Sequence, residues 1–419
     1  MAVWETKRIK HRAKLSPPCD TSKLLPDSEV TFTPMECIKN GYFLNRKAPF
    51  STVNGSYTQY QEGDIVIAKV TPCFENGNIA EMSGLYSGFG FGSSELFVLR
   101  PYNIQSRFLF YALQSEDFKE KGCATMTGTG GLKRVSPAFI ANYQIAVPQP
   151  DEQKRIAKFL DKKCAEIDAV LEKTRTSISE YKKLKQAIIT QAVTKGIRGD
   201  RPMKESGIEW IGNIPSDYSV YRLKHLVNGH LEYGANISGV EFSSKLPRYI
   251  RITDITLDGK LKEFGKLSLE EDTAAPYILR DGDILFARSG ATVGKSFIYK
   301  ETYGRAAFAG YLIKATIREG FSADYIYLYT NSSLYDSWKS GIFIQSTIQN
   351  IGADRYADLP IVIPNSFDEQ LEIVDYLNNI SMEIDKIISR KEEIFAELES
   401  YKKSLIYEYV TGKKEAPQT

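Results

Sequence analysis

A chain of 419 residues with 42% hydrophobic and 12% aromatic residues can bury a sizeable core in more than one domain, which excludes a disordered chain. A net charge of +2 is nearly neutral, so composition does not announce nucleic acid, and any such claim needs other support. The five cysteines (Cys19, Cys37, Cys73, Cys123, Cys164) are odd in number and form no CxxC pair, which fits neither a disulfide framework nor a zinc ribbon. With no apolar run near membrane length and a charged N-terminus, a cytoplasmic protein is expected.

Residues 1–149 are rich in Gly, Tyr, Phe, Ser and Thr and carry short β-like runs, DIVIAKV from Asp64, SELFVLR from Ser94 and YQIAVP from Tyr143. This texture predicts a globular α/β domain. Residues 150–197 then change character, with apolar residues at helical spacing and no interior Pro or Gly after Pro150 until Gly196. Leu160, Ile167, Tyr181 and Ile188 share one heptad position, and Cys164, Leu171 and Ile178 share another. One long helix is predicted, about 65 Å at ~1.5 Å per residue, with Asp151 as its N-cap and Gly196 as its stop. Residues 198–366 return to the first texture, with runs YIRITDI from Tyr249 and DILFAR from Asp283. Residues 367–413 repeat the helical pattern through Leu377, Ile384, Leu398 and Leu405 beside Ile388 and Phe395, with Asp368 placed to cap and Gly412 to stop the helix. A tail, 414–419, follows.

The second half therefore repeats the first. At an offset of 217 residues, Asp151-Glu152-Gln153 falls on Asp368-Glu369-Gln370, Leu160 on Leu377, Ile167-Asp168 on Ile384-Asp385 and Val193-Thr194 on Val410-Thr411. With small shifts, Gly63-Asp64-Ile65 meets Gly282-Asp283-Ile284, and Arg8-Ile9-Lys10-His11 meets Arg222-Leu223-Lys224-His225. The unit is far longer than a solenoid repeat, so this is duplication of a domain plus a connector. Residues 151–195 hold eleven Lys/Arg against seven Asp/Glu, whereas 368–412 hold five against eleven. Two long helices with apolar seams and opposite charge are expected to pair with each other, because a lone helix of this length outreaches a domain of about 150 residues and leaves an apolar stripe in water.

Three motifs suggest chemistry that the surrounding sequence does not support. Ser289–Ser296, SGATVGKS, has only three residues between its glycines where a phosphate loop needs four, and strand-like SFIYK follows where a helix should start. It reads as a hairpin. Phe89-Gly90-Phe91-Gly92 lacks the accompanying Asn/Asp-Pro-Pro-aromatic tetrapeptide of a DNA adenine methyltransferase, so its glycines read as close strand packing or a turn. His11, His225 and His230 show no metal-ligand spacing, and no nucleophile has a partnering base. No catalytic or metal-binding residue is predicted.

The duplicated phrase of a strand ending in Pro, then DEQ, then a long helix (AVPQPDEQKRIAKFLD and IVIPNSFDEQLEIVDYL), the GDI strand before each, and SGIEWIGNIPSDYSVYRLKHL opening the second half resemble the DNA specificity subunit of type I restriction-modification systems. The resemblance covers essentially the whole chain, although the first copy lacks a counterpart of the SGIEWIGNIP leader. It implies an α/β (α+β) fold in which two target recognition domains, 1–149 and 198–366, are joined by a central and a C-terminal helical spacer forming an antiparallel coiled coil with a pseudo-twofold repeat. It further implies a non-catalytic subunit that reads a bipartite duplex DNA target without a cofactor of its own. Its partners are modification subunits carrying S-adenosylmethionine chemistry and, through them, ATP-driven restriction subunits; no membrane is involved.

Two polar stretches per domain then carry suitable side chains for base edges and phosphates. They are the hairpin after the GDI strand (Lys69, Thr71, Asn76, Asn78; Arg288, Ser289, Thr292, Lys295) and the run before the last strand (Thr127, Thr129, Lys133, Arg134; Gln345, Ser346, Thr347, Gln349, Asn350). The seam expected to pair the helices comprises Leu160, Ile167, Leu171, Ile178, Tyr181 and Ile188 against Leu377, Ile384, Ile388, Phe395, Leu398 and Leu405. The alternative is a scaffold in which two peptide-binding domains flank a helical rod; salt-dependent, partner-enhanced DNA binding separates the two.

Overall fold

The computed structural model describes residues 4–418 apart from 56, 130, 257–258, 291 and 345–349. Met1–Arg175 with Glu392–Thr419 form one compact unit, and Thr176–Lys391 form the other.

In the first unit an antiparallel sheet runs in the order Ala13–Leu15, Leu96–Pro101, Ile65–Ala68, Ile79–Glu81. The run after GDI is continuously apolar because the sheet is covered on both faces. Ile65 and Ile67 join a core with Phe108 and Ile145, while Val66 and Ala68 join another with Tyr60 and Met82. A second sheet, ordered Arg46–Pro49, Glu29–Thr33, Phe89–Gly92, Thr58–Gln61, contains one parallel pair, Glu29–Thr33 with Phe89–Gly92. Here the FGFG glycines allow close packing: a Cβ on Gly90 would stand 1.9 Å from the Tyr60 ring.

The second unit repeats this plan. Its doubly covered sheet is ordered Glu232–Tyr233, Leu312–Ala315, Ile284–Ala287, Ser296–Ile298, with Ile284 and Phe286 in one core and Leu285 and Ala287 in another. The hairpin expected for SGATVGKS joins Ile284–Ala287 to Ser296–Ile298. A parallel pair again marks the second sheet, Arg248–Ile250 with Ala306–Phe308. YIRITDI is not one strand: after Ile250 the chain turns through a 3-10 helix, Ile252–Asp254, because the Asp254 carboxylate accepts the Arg251 N–H at 2.8 Å. The leader SGIEWIGNIP contributes to a hairpin of Met203–Glu205 with Asn213–Pro215.

Each unit closes on a two-stranded ribbon leading into a long helix. Glu5–Arg8 pairs with Gln144–Val147 before the central helix, Pro150–Lys195, and Tyr218–Arg222 pairs with Pro360–Pro364 before the C-terminal helix, Phe367–Val410. The helices begin two residues earlier than the capping pattern suggests. Asp151 and Asp368 lie inside the first turn, where exposed backbone N–H groups favour a carboxylate. The N-cap hydroxyl in the second copy is Ser366, which accepts the Glu369 N–H at 3.4 Å. Both helices end just before a glycine of positive φ, Gly196 (+73°) and Gly412 (+74°).

The two long helices are in contact within each unit. In the first, Pro150–Arg175 runs antiparallel to Glu392–Val410: Phe159 packs on Tyr409 at 4.6 Å between ring centroids, Lys402 binds Asp168 at 2.7 Å, and Arg175 lies 5.3 Å over Phe395. In the second, Lys185 binds Asp385 at 2.7 Å and Lys391 lies 5.6 Å over Tyr181. The same helical segments also cover the globular cores. Ile156, Leu160, Ile167 and Leu171 share a cluster with Leu405, Val410 and Phe108, and Ile189 and Val193 share one with Ile373, Leu377 and Ile363. Of the seam residues, Leu160, Ile167, Leu171, Leu377, Ile384, Ile388 and Leu405 are buried, while Ile178, Tyr181, Ile188, Phe395 and Leu398 are half-buried. Among the described residues, no helix is long and apolar enough to cross a membrane.

Candidate nucleic-acid interface

The GDI turn places the first polar loop. Gly63 adopts φ +80°, and the buried Asp64 accepts the Gln61 N–H at 2.9 Å while pairing with Arg100 through Nε (2.9 Å) and Nη2 (2.8 Å). Gly282 adopts φ +81°, and Asp283 accepts the Arg280 N–H at 2.8 Å. Asp283 has the Thr316 hydroxyl (2.5 Å) where Asp64 has an arginine, and burial raises its pKa above the ordinary 3.8. A carboxylate three residues after the N–H it holds thus fixes where each doubly covered strand starts, and so where its loop emerges.

In the first unit the two predicted stretches meet. The Thr71 N–H donates to the Lys133 carbonyl at 3.0 Å, the Val135 N–H to Lys69 at 2.9 Å, and Thr127 and Arg134 exchange backbone hydrogen bonds of 2.8 and 3.1 Å. The Thr71 hydroxyl donates to the Gly131 carbonyl at 2.7 Å and accepts the Lys133 N–H at 3.0 Å. Lys69, Thr71, Thr127, Lys133 and Arg134 therefore sit on one ribbon, with Thr127, Thr129 and Lys133 exposed. Two of its cations are already engaged. Arg134 grips Glu95 through Nε (2.9 Å) and Nη2 (2.6 Å), and Lys69 donates to the Ser94 carbonyl at 2.7 Å, with burial lowering its pKa. Asn76 and Asn78 lie apart from this ribbon. They line a cavity of about 250 Å³ with Asn40, Gln114, Glu399 and Lys403.

The second unit brings its stretches together in the same way. Ser289 and Asn350 form an antiparallel bridge, and the Ile351 N–H donates to the Arg288 carbonyl at 2.8 Å. Arg288, Ser289, Thr292 and Lys295 are half-buried and Asn350 is exposed; Gln345, Ser346, Thr347 and Gln349 lie outside the described residues. The Arg288 guanidinium stands 5.0 Å over the Tyr233 ring, and the Tyr233 hydroxyl accepts the Ala353 N–H at 3.0 Å. Tyr233 and Glu95 were not among the predicted residues. Both lie in sequence far from the loops they touch, and only pairing across the sheet brings them there.

The duplicated DEQ also acquires a role that its sequence did not disclose. The buried Gln153 accepts the Gln105 N–H at 2.8 Å and donates to the Pro148 carbonyl at 2.8 Å. Gln370 does the same with Ser322 (2.9 Å) and Pro364 (3.1 Å). Each glutamine ties the end of the closing strand to the start of a domain helix, Ser106–Leu113 or Ala323–Tyr329.

Among the described residues, no group of three or more His, Cys, Asp and Glu could hold a metal ion. The pattern of the type I restriction modification DNA specificity domain matches residues 4–178 and 244–396. The EcoAI specificity subunit of a type I restriction enzyme from Escherichia coli is 32% identical over 191 residues, 44% of this chain; that match spans about a third (32%) of the relative's length. The MjaVIII specificity subunit of a type I restriction enzyme from Methanocaldococcus jannaschii is 25% identical over 316 residues, covering 73% of this chain and 69% of the relative. A chain from a structure described as underlying complex assembly and conformational transition of the type I R-M system superposes with a TM-score of 0.73 at 16% identity over 98% of both chains, a likeness of fold. With the specificity-domain pattern matching well over half of the chain, and with the duplicated strand, DEQ clamp and long helix in both units, this protein belongs to the type I restriction-modification DNA specificity subunits.

Proposed function

We propose that this chain reads a two-part duplex DNA sequence and directs partner modification and restriction subunits to it, without performing chemistry itself. Residues 1–149 and 198–366 act as target recognition domains, each for one half-site, and the two long helices pair as an antiparallel coiled coil about a pseudo-twofold axis. The observation that carries this reading is the convergence, in both units, of two polar loops more than fifty residues apart at the end of the same doubly covered strand. A sheet holding a paired, polar ribbon at the end of an interior strand suits base-edge recognition, which needs side chains held in register with the major groove. The pseudo-twofold is supported by two ion pairs. Lys402–Asp168 and Lys185–Asp385 join residues that are equivalent at the 217-residue offset. With so little net charge, the partners supply much of the phosphate clamp.

The test is co-expression with the modification subunits and mapping of N6-methyladenine. A bipartite methylated motif is expected, and exchanging residues 198–366 for the equivalent domain of a relative should change one half of it only. No sequence-specific methylation, or a change in both halves, would refute the reading.

A further inference from the structure

We propose that Arg288 reads a guanine in the half-site of the second unit, and that the first unit holds no open arginine at the equivalent position. This rests on the DNA-reading role proposed above and names the base chemistry of one position within it.

Arg288 follows directly on the buried strand Ile284–Ala287, and its backbone is held on both sides. Its N–H donates to the Tyr311 carbonyl at 3.1 Å, and its carbonyl accepts from Ile351. The side chain has little freedom either, because the guanidinium lies over Tyr233, whose hydroxyl is itself engaged by Ala353. Its Nε is buried without a hydrogen-bond partner, so an acceptor from outside meets the terminal Nη groups of this half-buried residue. Buried donors are normally paired, so an oriented planar fork left open is suited to an acceptor supplied by a ligand. Guanine presents two such acceptors, O6 and N7, side by side in the major groove.

The first unit offers no such fork at this place. The residue after its GDI strand is Lys69, already bound to the Ser94 carbonyl, and the nearby Arg134 is closed by both oxygens of Glu95. The duplication has kept the ribbon and changed which cation is available at its start.

The experiment uses the full chain assembled with its modification subunits and duplexes carrying the mapped motif. Each guanine of the second half-site is replaced in turn by 7-deazaguanine, which removes N7 and leaves base pairing and the protein intact. One position should weaken binding by roughly 5- to 150-fold. Arg288→Met and Arg288→Ala, which leave no donor, should lose that sensitivity while retaining the first half-site preference. The proposal is overturned if no guanine shows the effect, or if Arg288→Met keeps the same sensitivity. It is also overturned if Arg288→Ala weakens related and unrelated duplexes by the same factor, which would make Arg288 a phosphate contact. The wild-type arm stands even if Arg288→Ala folds poorly. Sequence-specific binding without a sensitive guanine sinks this inference alone, whereas absence of specific binding sinks the DNA-reading role with it.

Discussion

The two units differ least where a side chain holds backbone and most where it faces outward. Gln153 and Gln370 make the same two hydrogen bonds, Asp64 and Asp283 hold the same turn, and Gly196 and Gly412 lie beside Tyr218 and Trp4, with an added Cβ at 2.5 and 3.1 Å respectively. At the ribbon the likeness ends. One unit neutralises its arginine with Glu95, and the other leaves Arg288 open on Tyr233. A buried donor or acceptor that loses its partner costs the fold directly, whereas an exposed one is replaced by water. Duplication therefore preserves the first kind and frees the second to diverge.

The largest expected effect tests the seam. Leu171 and Ile388 are equivalent at the 217-residue offset and both buried. Replacing either by Asp places an unpaired charge at a buried position and should cost several kcal/mol, seen as a large fall in urea midpoint for both variants. A large loss in one and little in the other would break the equivalence of the two helix pairs. Next in size, Gln153→Ala and Gln370→Ala should each cost about 2–4 kcal/mol, since each leaves an N–H, half-buried at Gln105 and buried at Ser322, and a carbonyl without partners. A cost under about 1 kcal/mol for either would mean that water replaces the clamp.

A smaller effect separates the two GDI turns. Burial raises the Asp283 pKa, so the folded second unit holds that proton more tightly than the unfolded chain does. Its stability should increase as pH falls from above the raised value toward the ordinary 3.8, and Asp283→Asn should remove that increment. Asp64→Asn breaks the Arg100 pair and should destabilise at neutral pH more than Asp283→Asn does. Melting curves of both variants across pH 3–7 compare them, and an Asp283→Asn curve parallel to wild type would contradict the assignment. Smallest of all, double-mutant cycles on Lys402–Asp168 and Lys185–Asp385 should give similar couplings of roughly 0.2–1 kcal/mol, because each pair is partly exposed. Unequal couplings would show that the pairs are equivalent in sequence but not in setting.

Much of the fold was legible because it rests on periodic or local signals. A 217-residue repeat, two uninterrupted heptad patterns, glycines at the helix ends and a strand-flanked SGATVGKS can all be read within a few turns of chain. The candidate site was legible only in part. Polar loop residues such as Thr71, Lys133 and Ser289 could be picked out by type and position. The engagement of Arg134 by a glutamate 39 residues earlier, and the turning of Asn76 and Asn78 toward a cavity shared with Glu399 and Lys403, could not.

The sequence by itself determined that this protein has two similar α/β halves, each followed by a long amphipathic helix, because hydrophobic period and repeat are properties of the chain alone. Tertiary structure decided that the end of each helix packs on the core that precedes the other: Val410 lies with Phe108, and Val193 with Ile363. It also decided which cations are spent on the protein's own acceptors and which remain open. Helix period says that a face must be covered without saying by what, and a guanidinium's availability depends on carboxylates and rings that approach it only once the sheets have formed.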